Sequence, residues 1–173
     1  MDNNLKYTDE TDKSLGVAGM TISLVACDGE NLLASVSLED NEDAMQFAEE
    51  FFFAGNPRFS AKIAWNEMLK QYQVACGMLL GNVMCRRFAV GKGVENDLLK
   101  VVHDILADAG HTHCSLEDDE IDSLFNKNYR YYSRLFSHSG VLAVARDFAT
   151  TLRMRRRLTA GEVFEQLSRL NSL

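Results

Sequence analysis

A single proline, Pro57, is all that the 173 residues contain, and glycine is held to eleven. That shortage excludes an all-β sandwich with its closely spaced turns, and the long uninterrupted stretches it leaves favour helices. Apolar runs of membrane length are also missing. The longest, Val74 to Cys85, is about half of the roughly 20 residues that cross a bilayer, and Arg86 and Arg87 close it. No membrane span is expected. Met1 to Ser14 is polar, with Asp2, Asp9, Glu10 and Asp12 outnumbering Lys6 and Lys13. The apolar run after it therefore lacks the cationic flank of a signal peptide, so this reads as a flexible polar N-terminus on a cytoplasmic protein. Cysteine is scarce too. Four thiols without a secretory signal read as reduced core residues, not as a disulfide framework.

Motifs that name a reaction are absent. Gly91-Lys92-Gly93 has neither the spacing of a phosphate-binding loop nor a strand before it, and no segment recurs along the chain. No cofactor is expected. What is present is an ordinary globular composition, 46% hydrophobic and 25% charged, which excludes wholesale disorder. Residues 15–173 are enough to bury a core without disulfides or metal.

Period-two alternation of Met20, Ile22, Leu24 and Ala26 predicts a strand, and Asp28-Gly29 supplies a turn. Ala34, Val36 and Leu38 then complete a β-hairpin over 19–38, whose open edges could pair with a second copy. Beyond it a helical bundle is expected over 40–171. Asp40 or Asn41 caps a first helix carrying Ala44, Phe47, Ala48 and Phe51, and the run Phe51–Phe53 is either buried on all sides or a partner-binding patch. The longest helix runs from Ser60 to about Val90, with Trp65, Leu69, Tyr72, Cys76, Leu79 and Val83 on one stripe. On another face Gly77 and Gly81 allow a close helix crossing, within the molecule or between two copies. A helix over Glu95–Ala109 is expected to end at Gly110, with a polar loop after it. Another opens with a capping box at Ser115-Leu116-Glu117-Asp118 and reaches Phe136. A further helix spans Val141–Arg157, and Thr159 with Glu162 caps the last. The fold class is mainly α (α+β), about six helices packed around one long central helix.

The charge is unevenly distributed. Between Asn126 and Leu158 stand Lys127, Arg130, Arg134, Arg146, Arg153, Arg155, Arg156 and Arg157 against one acid, Asp147, a net +7. The whole chain carries −7, so the remainder carries −14. On their helices Lys127, Tyr131, Arg134 and His138, and likewise Arg146, Thr150, Arg153 and Arg157, recur at helical spacing and form two cationic faces. Tyrosines among guanidinium groups suit phosphate contacts and base stacking. Helix-dipole preference alone accounts for the Arg153–Arg157 end, whereas Lys127, Arg134 and Arg146 stand mid-helix and are not explained by it; the foremost alternative to a binding surface is that these faces are solvated or paired with acids inside the fold.

The first reading is a non-enzymatic interaction domain that binds a protein partner and forms a homodimer. The alternative is nucleic-acid binding through Lys127, Arg130, Tyr131, Arg134, Arg146, Arg153 and Arg157, opposed by the net charge. A third is a metal- or thiol-dependent enzyme centred on His111, His113 and Cys114. That cluster falls short of the four ligands of a structural zinc site, though His103 on the preceding helix could add one.

Overall fold

The computed structural model describes residues 5–39, 43–48 and 61–172, with side chains described from residue 68 onward in the helix that opens at 61. Among these are six α-helices: α1 (Glu10–Ala26), α2 (Ala61–Ala89), α3 (Asn96–Cys114), α4 (Asp118–Ser137), α5 (Ser139–Arg155) and α6 (Ala160–Leu167). Three short strands join them, β1 (Leu33–Ser37), β2 (Met45–Phe47) and β3 (Arg157–Thr159), with 3₁₀ turns at Glu30–Leu32 and Ser168–Ser172. The protein is mainly helical with a small antiparallel sheet, as its composition predicts. None of the helices is long and apolar enough to cross a membrane, among the described residues.

The N-terminal hairpin does not form. Its expected first strand is part of α1, which Asp9 caps by accepting the Asp12 N–H at 2.8 Å, with Glu10 and Asp12 in a first turn where the helix dipole favours acids. Alternation misled because the small polar residues between the apolar ones are buried as well: Ser14, Thr21 and Ser23 are fully enclosed. Thr21 can be buried because its hydroxyl donates to the Val17 carbonyl one turn back, at 2.7 Å. With α1 starting at Glu10 and Arg86 holding the backbone of Leu5 and Lys6, residues 5–14 are built into the fold and are not a loose tail.

The second expected strand is real but pairs elsewhere. β1 lies at the centre of the sheet, antiparallel to β2 on one side and β3 on the other. Ala44, Phe47 and Ala48, read as one face of a helix, instead flank or belong to β2. The Phe51–Phe53 run lies outside the described residues.

α2 is the central helix, about 44 Å long at ~1.5 Å per residue. Tyr72, Val74, Cys76, Leu80, Val83, Met84 and Cys85 are buried around its whole circumference, because α1, α3, α4 and α5 all pack on it. Both glycines singled out on α2 serve contacts inside the molecule. A Cβ on Gly81 would collide with the Ser23 hydroxyl and the Gly19 carbonyl of α1, and one on Gly77 with the Tyr132 phenol of α4. The α1–α2 crossing is therefore a backbone-on-backbone contact.

Two helix ends also differ from expectation. α3 runs through Gly110 to Cys114, and Ser115 takes the left-handed turn at φ +52. Gly110 is a glycine because the Tyr72 hydroxyl and Ile121 side chain stand 3.0 and 3.1 Å from where a Cβ would sit. α4 opens two residues later than its motif suggested, with Glu117 and Glu120 forming the capping box. The Thr159–Glu162 box of α6 stands where the sequence placed it.

Candidate functional site: a cationic helix face beside a cleft

The structure divides the basic segment in two. On α5 and β3 the cations bond to the fold. Arg146 donates from Nη2 to the Ala89 carbonyl that ends α2, at 2.9 Å. Arg153 donates to the Thr11 hydroxyl at 2.7 Å and to Thr150 Oγ1 at 3.2 Å. Arg155 meets Glu162 at 3.1 Å. Arg156 reaches Glu10 at 2.8 Å, Glu39 at 3.3 Å and the Leu38 carbonyl at 3.1 Å. Arg157 donates to Gln46 Oε1 at 2.9 Å. The face expected from Arg146, Thr150, Arg153 and Arg157 is thus turned toward α1, the end of α2 and the sheet.

On α4 the outcome is the opposite. Lys127, Arg130 and Arg134 are exposed and make no hydrogen bond or ion pair within the described residues. The acids in the first turn and a half of their own helix do not reach back to them. They meet histidines of α3 instead: Asp118 lies 3.1 Å from His111 Nε2, and Asp122 lies 2.7 Å from His103 Nε2. Tyr131 stands 49% exposed between Arg130 and Arg134, its ring set edge-on against buried Tyr132 at 5.0 Å between centroids.

Beside this face opens a cleft of about 650 Å³, a size ordinary for a ligand or peptide side-chain site. Tyr131, Arg134 and Leu135 of α4, with His138 just after it, line one wall, at helical spacings that bring them to one flank. Ile22, Val25 and Ala26 of the last turns of α1 provide the apolar floor, with Val141 and Leu170. Asp28 and Glu30 add two carboxylates to the same lining. Asp28 holds φ +55, a conformation that Asp tolerates better than most residues. His138 Nδ1 accepts the Gly140 N–H at 3.2 Å, which leaves Nε2 to carry the proton of the neutral ring. The cleft can therefore offer a guanidinium, a phenol and an imidazole N–H to a carboxylate, above a hydrocarbon floor.

Sequence reading found the α4 residues and missed the other wall. Ile22 and Val25 were placed on a strand, where they would have faced opposite sides of a sheet. Once α1 is a helix, their spacing of three with Ala26 beside it is the signal of a single flank.

The third cluster is brought together only in part. His111 and His113 are two residues apart on a helix, so they project to different sides. His111 Nδ1 faces the Leu116 carbonyl at 2.8 Å, whereas His113 and Cys114 both line a cavity with Met68, Gln71 and Tyr72. Cys114 is buried, its Sγ 3.7 Å from the Met68 carbonyl, and burial raises its pKa. Among the described residues no three His, Cys, Asp or Glu side chains are grouped to hold a metal ion.

All four cysteines are free thiols. Burial pushes Cys85 up to about 12 against a small opposing effect of Arg146, and Cys76 up to about 12 although the Tyr72 hydroxyl draws it the other way. Both stay protonated at neutral pH and are core residues, without the thiolate that a nucleophile needs. Cys27 Sγ lies 2.7 Å from the Tyr132 hydroxyl, and burial together with that contact raises the phenol's pKa.

Comparison with protein-family models, with curated proteins and with solved structures returned no match. The reading of the site rests on its own residues.

Proposed function

We propose that this protein is a non-enzymatic interaction domain that receives an acidic, partly apolar segment of a protein partner on α4 and in the adjoining cleft. One observation carries the reading. Within a segment whose other arginines are engaged in the fold, Lys127, Arg130 and Arg134 are left exposed and unpaired among the described residues, and Arg134 with its neighbour Tyr131 lines an apolar-floored cleft. Leaving three like charges on one helix face is unfavourable by itself, and an anionic partner relieves it. Tyr131 among them is the residue type that anchors interfaces, giving a large contact at little cost in side-chain entropy.

A displayed random-peptide library selected on the folded protein provides the test. Selected sequences should combine carboxylates with an apolar side chain. Their affinity should fall roughly tenfold or more, about 1.4 kcal/mol, in the Lys127→Glu/Arg134→Glu variant. Selection of peptides without acidic residues, or affinity indifferent to that double change, would refute the proposal. The same chains can be weighed by sedimentation, since the homodimer of this reading predicts twice the monomer mass.

A second reading, nucleic-acid binding through the same face, draws support from Tyr131 standing between two arginines as a stacking platform would. The −7 net charge opposes the approach of a polyanion. A single-stranded oligonucleotide whose log affinity falls linearly with log salt, with a smaller slope in Arg134→Gln, would favour this reading over the first.

A further inference from the structure

We infer that a second site, separate from the α4 cleft, binds a phosphate monoester between α1, the end of α2 and α5. The pocket there measures about 310 Å³. Arg146 and Arg153, seven residues apart on α5 and hence two turns apart on one face, both line it, together with Thr11 and Thr150. The remaining lining is apolar, chiefly Leu15 and Val90.

These two arginines differ from most of the others in what they bond to. Arg86, Arg87, Arg155, Arg156 and Arg169 each meet a carboxylate, at distances between 2.5 and 3.3 Å. The carboxylates nearest in sequence to the pocket are already taken, Glu10 by Arg156, Asp12 by Arg86 and Asp147 by Arg169. Arg146 and Arg153 bond only to neutral acceptors, the Ala89 carbonyl and the Thr11 and Thr150 hydroxyls. Two positive charges therefore share one concave space with no carboxylate in its lining.

Each guanidinium has five N–H donors in a planar fork, and these bonds occupy one on Arg146 and two on Arg153. The free donors match the oxygens of a tetrahedral dianion, for which paired arginines are the usual cradle. Thr150 donates its own proton to the Arg146 carbonyl at 2.9 Å and so is fixed as an acceptor for Arg153. Thr11 accepts from Arg153 and has its proton left to give to a phosphate oxygen. The Leu15 and Val90 side favours an ester with a small apolar body over the free ion. A larger body has room to continue, because Thr11, Leu15 and Val90 also line a neighbouring cleft of about 550 Å³, whose lining includes both Lys6 and Lys92 and Asp9 and Asp12.

The test uses the whole chain labelled with ¹⁵N, titrated with n-butyl phosphate and with inorganic phosphate at constant ionic strength set by chloride. The side-chain Nε–H signals of Arg146 and Arg153 should shift with both ligands. n-Butyl phosphate should bind more tightly, and the signals should be silent to chloride. Arg153→Gln and Arg146→Gln should each weaken binding roughly tenfold or more, and Arg146→Lys by less, with spectra that otherwise remain those of the folded protein. Shifts that chloride reproduces, or folded variants that bind as the parent does, would overturn the site. Inorganic phosphate binding as tightly as the ester would overturn the monoester assignment. None of these outcomes depends on α4, so the site and the partner-binding face stand or fall separately.

Discussion

Arg86 holds together groups that no other single side chain could serve. Its guanidinium grips both oxygens of Asp12, at 2.7 and 2.5 Å, donates to the Lys6 and Leu5 carbonyls at 2.9 and 3.2 Å, and lies 4.8 Å over the Tyr7 ring. Only 8% of its side chain and 18% of that of Asp12 is exposed. Arg86→Met would leave a nearly buried carboxylate without its cation, and equilibrium urea unfolding should show a loss of about 3–5 kcal/mol. Burial alone would raise the Asp12 pKa. Hydrogen bonds from Arg86 and the Thr8 N–H outweigh it, and the net shift is downward. A carboxyl whose folded pKa is depressed contributes stability above its unfolded pKa, and that contribution is lost as pH falls through the folded value. Urea midpoints of the parent should therefore decline as pH falls below about 4, whereas in Arg86→Met, with the lowering effect of Arg86 gone, Asp12 should contribute less to that decline, and protonating it should recover part of the lost stability.

At the scale of elements, the α1–α2 crossing explains both what sequence reading achieved and where it failed. Helices whose burial is one-sided were legible as helices, although not residue by residue: of the apolar residues Leu98, Val101, Val102 and Ile105 expected to face inward on α3, Leu98 and Val102 do and Val101 and Ile105 are exposed, while α6 keeps its Thr159–Glu162 box. α1 was not, because it is enclosed on all sides and its glycines, serines and threonine carry no contrast between a wet and a dry face. β2 was read as helix for a related reason, since three residues are too few to show a period. Of the candidate site, the α4 wall could be read from spacing, whereas the α1 wall became visible only with the helix assigned. The same crossing yields a paired prediction. Gly81→Ala places a methyl against the Gly19 carbonyl and should cost about 1–3 kcal/mol or more. Gly161→Ala has open space around it in α6 and should stabilise by up to about 1 kcal/mol. Thermal melts of the two variants should move in opposite directions, and equal shifts would contradict the crossing.

For the molecule as a whole, the +7 segment turns out to be two populations of cations with separable roles. Those on α5 and β3 tie the C-terminal third to the N-terminal helix, through Arg156 to Glu10 and Arg153 to Thr11. Those on α4 are left facing outward. Reversing charge at Lys127 and Arg134 should leave stability within about 0.5 kcal/mol, as surface changes do. Reversing Arg156, which Glu10 and Glu39 hold and which sits at φ +66, should lower the melting temperature. A single set of melts at low and high salt checks both. Comparable destabilisation by the two changes would mean that the α4 cations have partners in the fold.

The seam between β1 and β3 also sets the order of events during synthesis. Ser35 pairs with Thr159, Val36 with Leu158 and Ser37 with Arg157, so the strand at the centre of the sheet gains its second neighbour only when residue 159 has left the ribosome. Until then β1 presents an open hydrogen-bonding edge, and Val36, fully buried in the finished protein, lacks the cover of Leu158 and α6. Closing so long a loop is slow compared with winding helices. A nascent chain stalled before Arg157 is accordingly the form of this protein that a chaperone would recognise and that would aggregate, whereas a chain released past Thr159 would not.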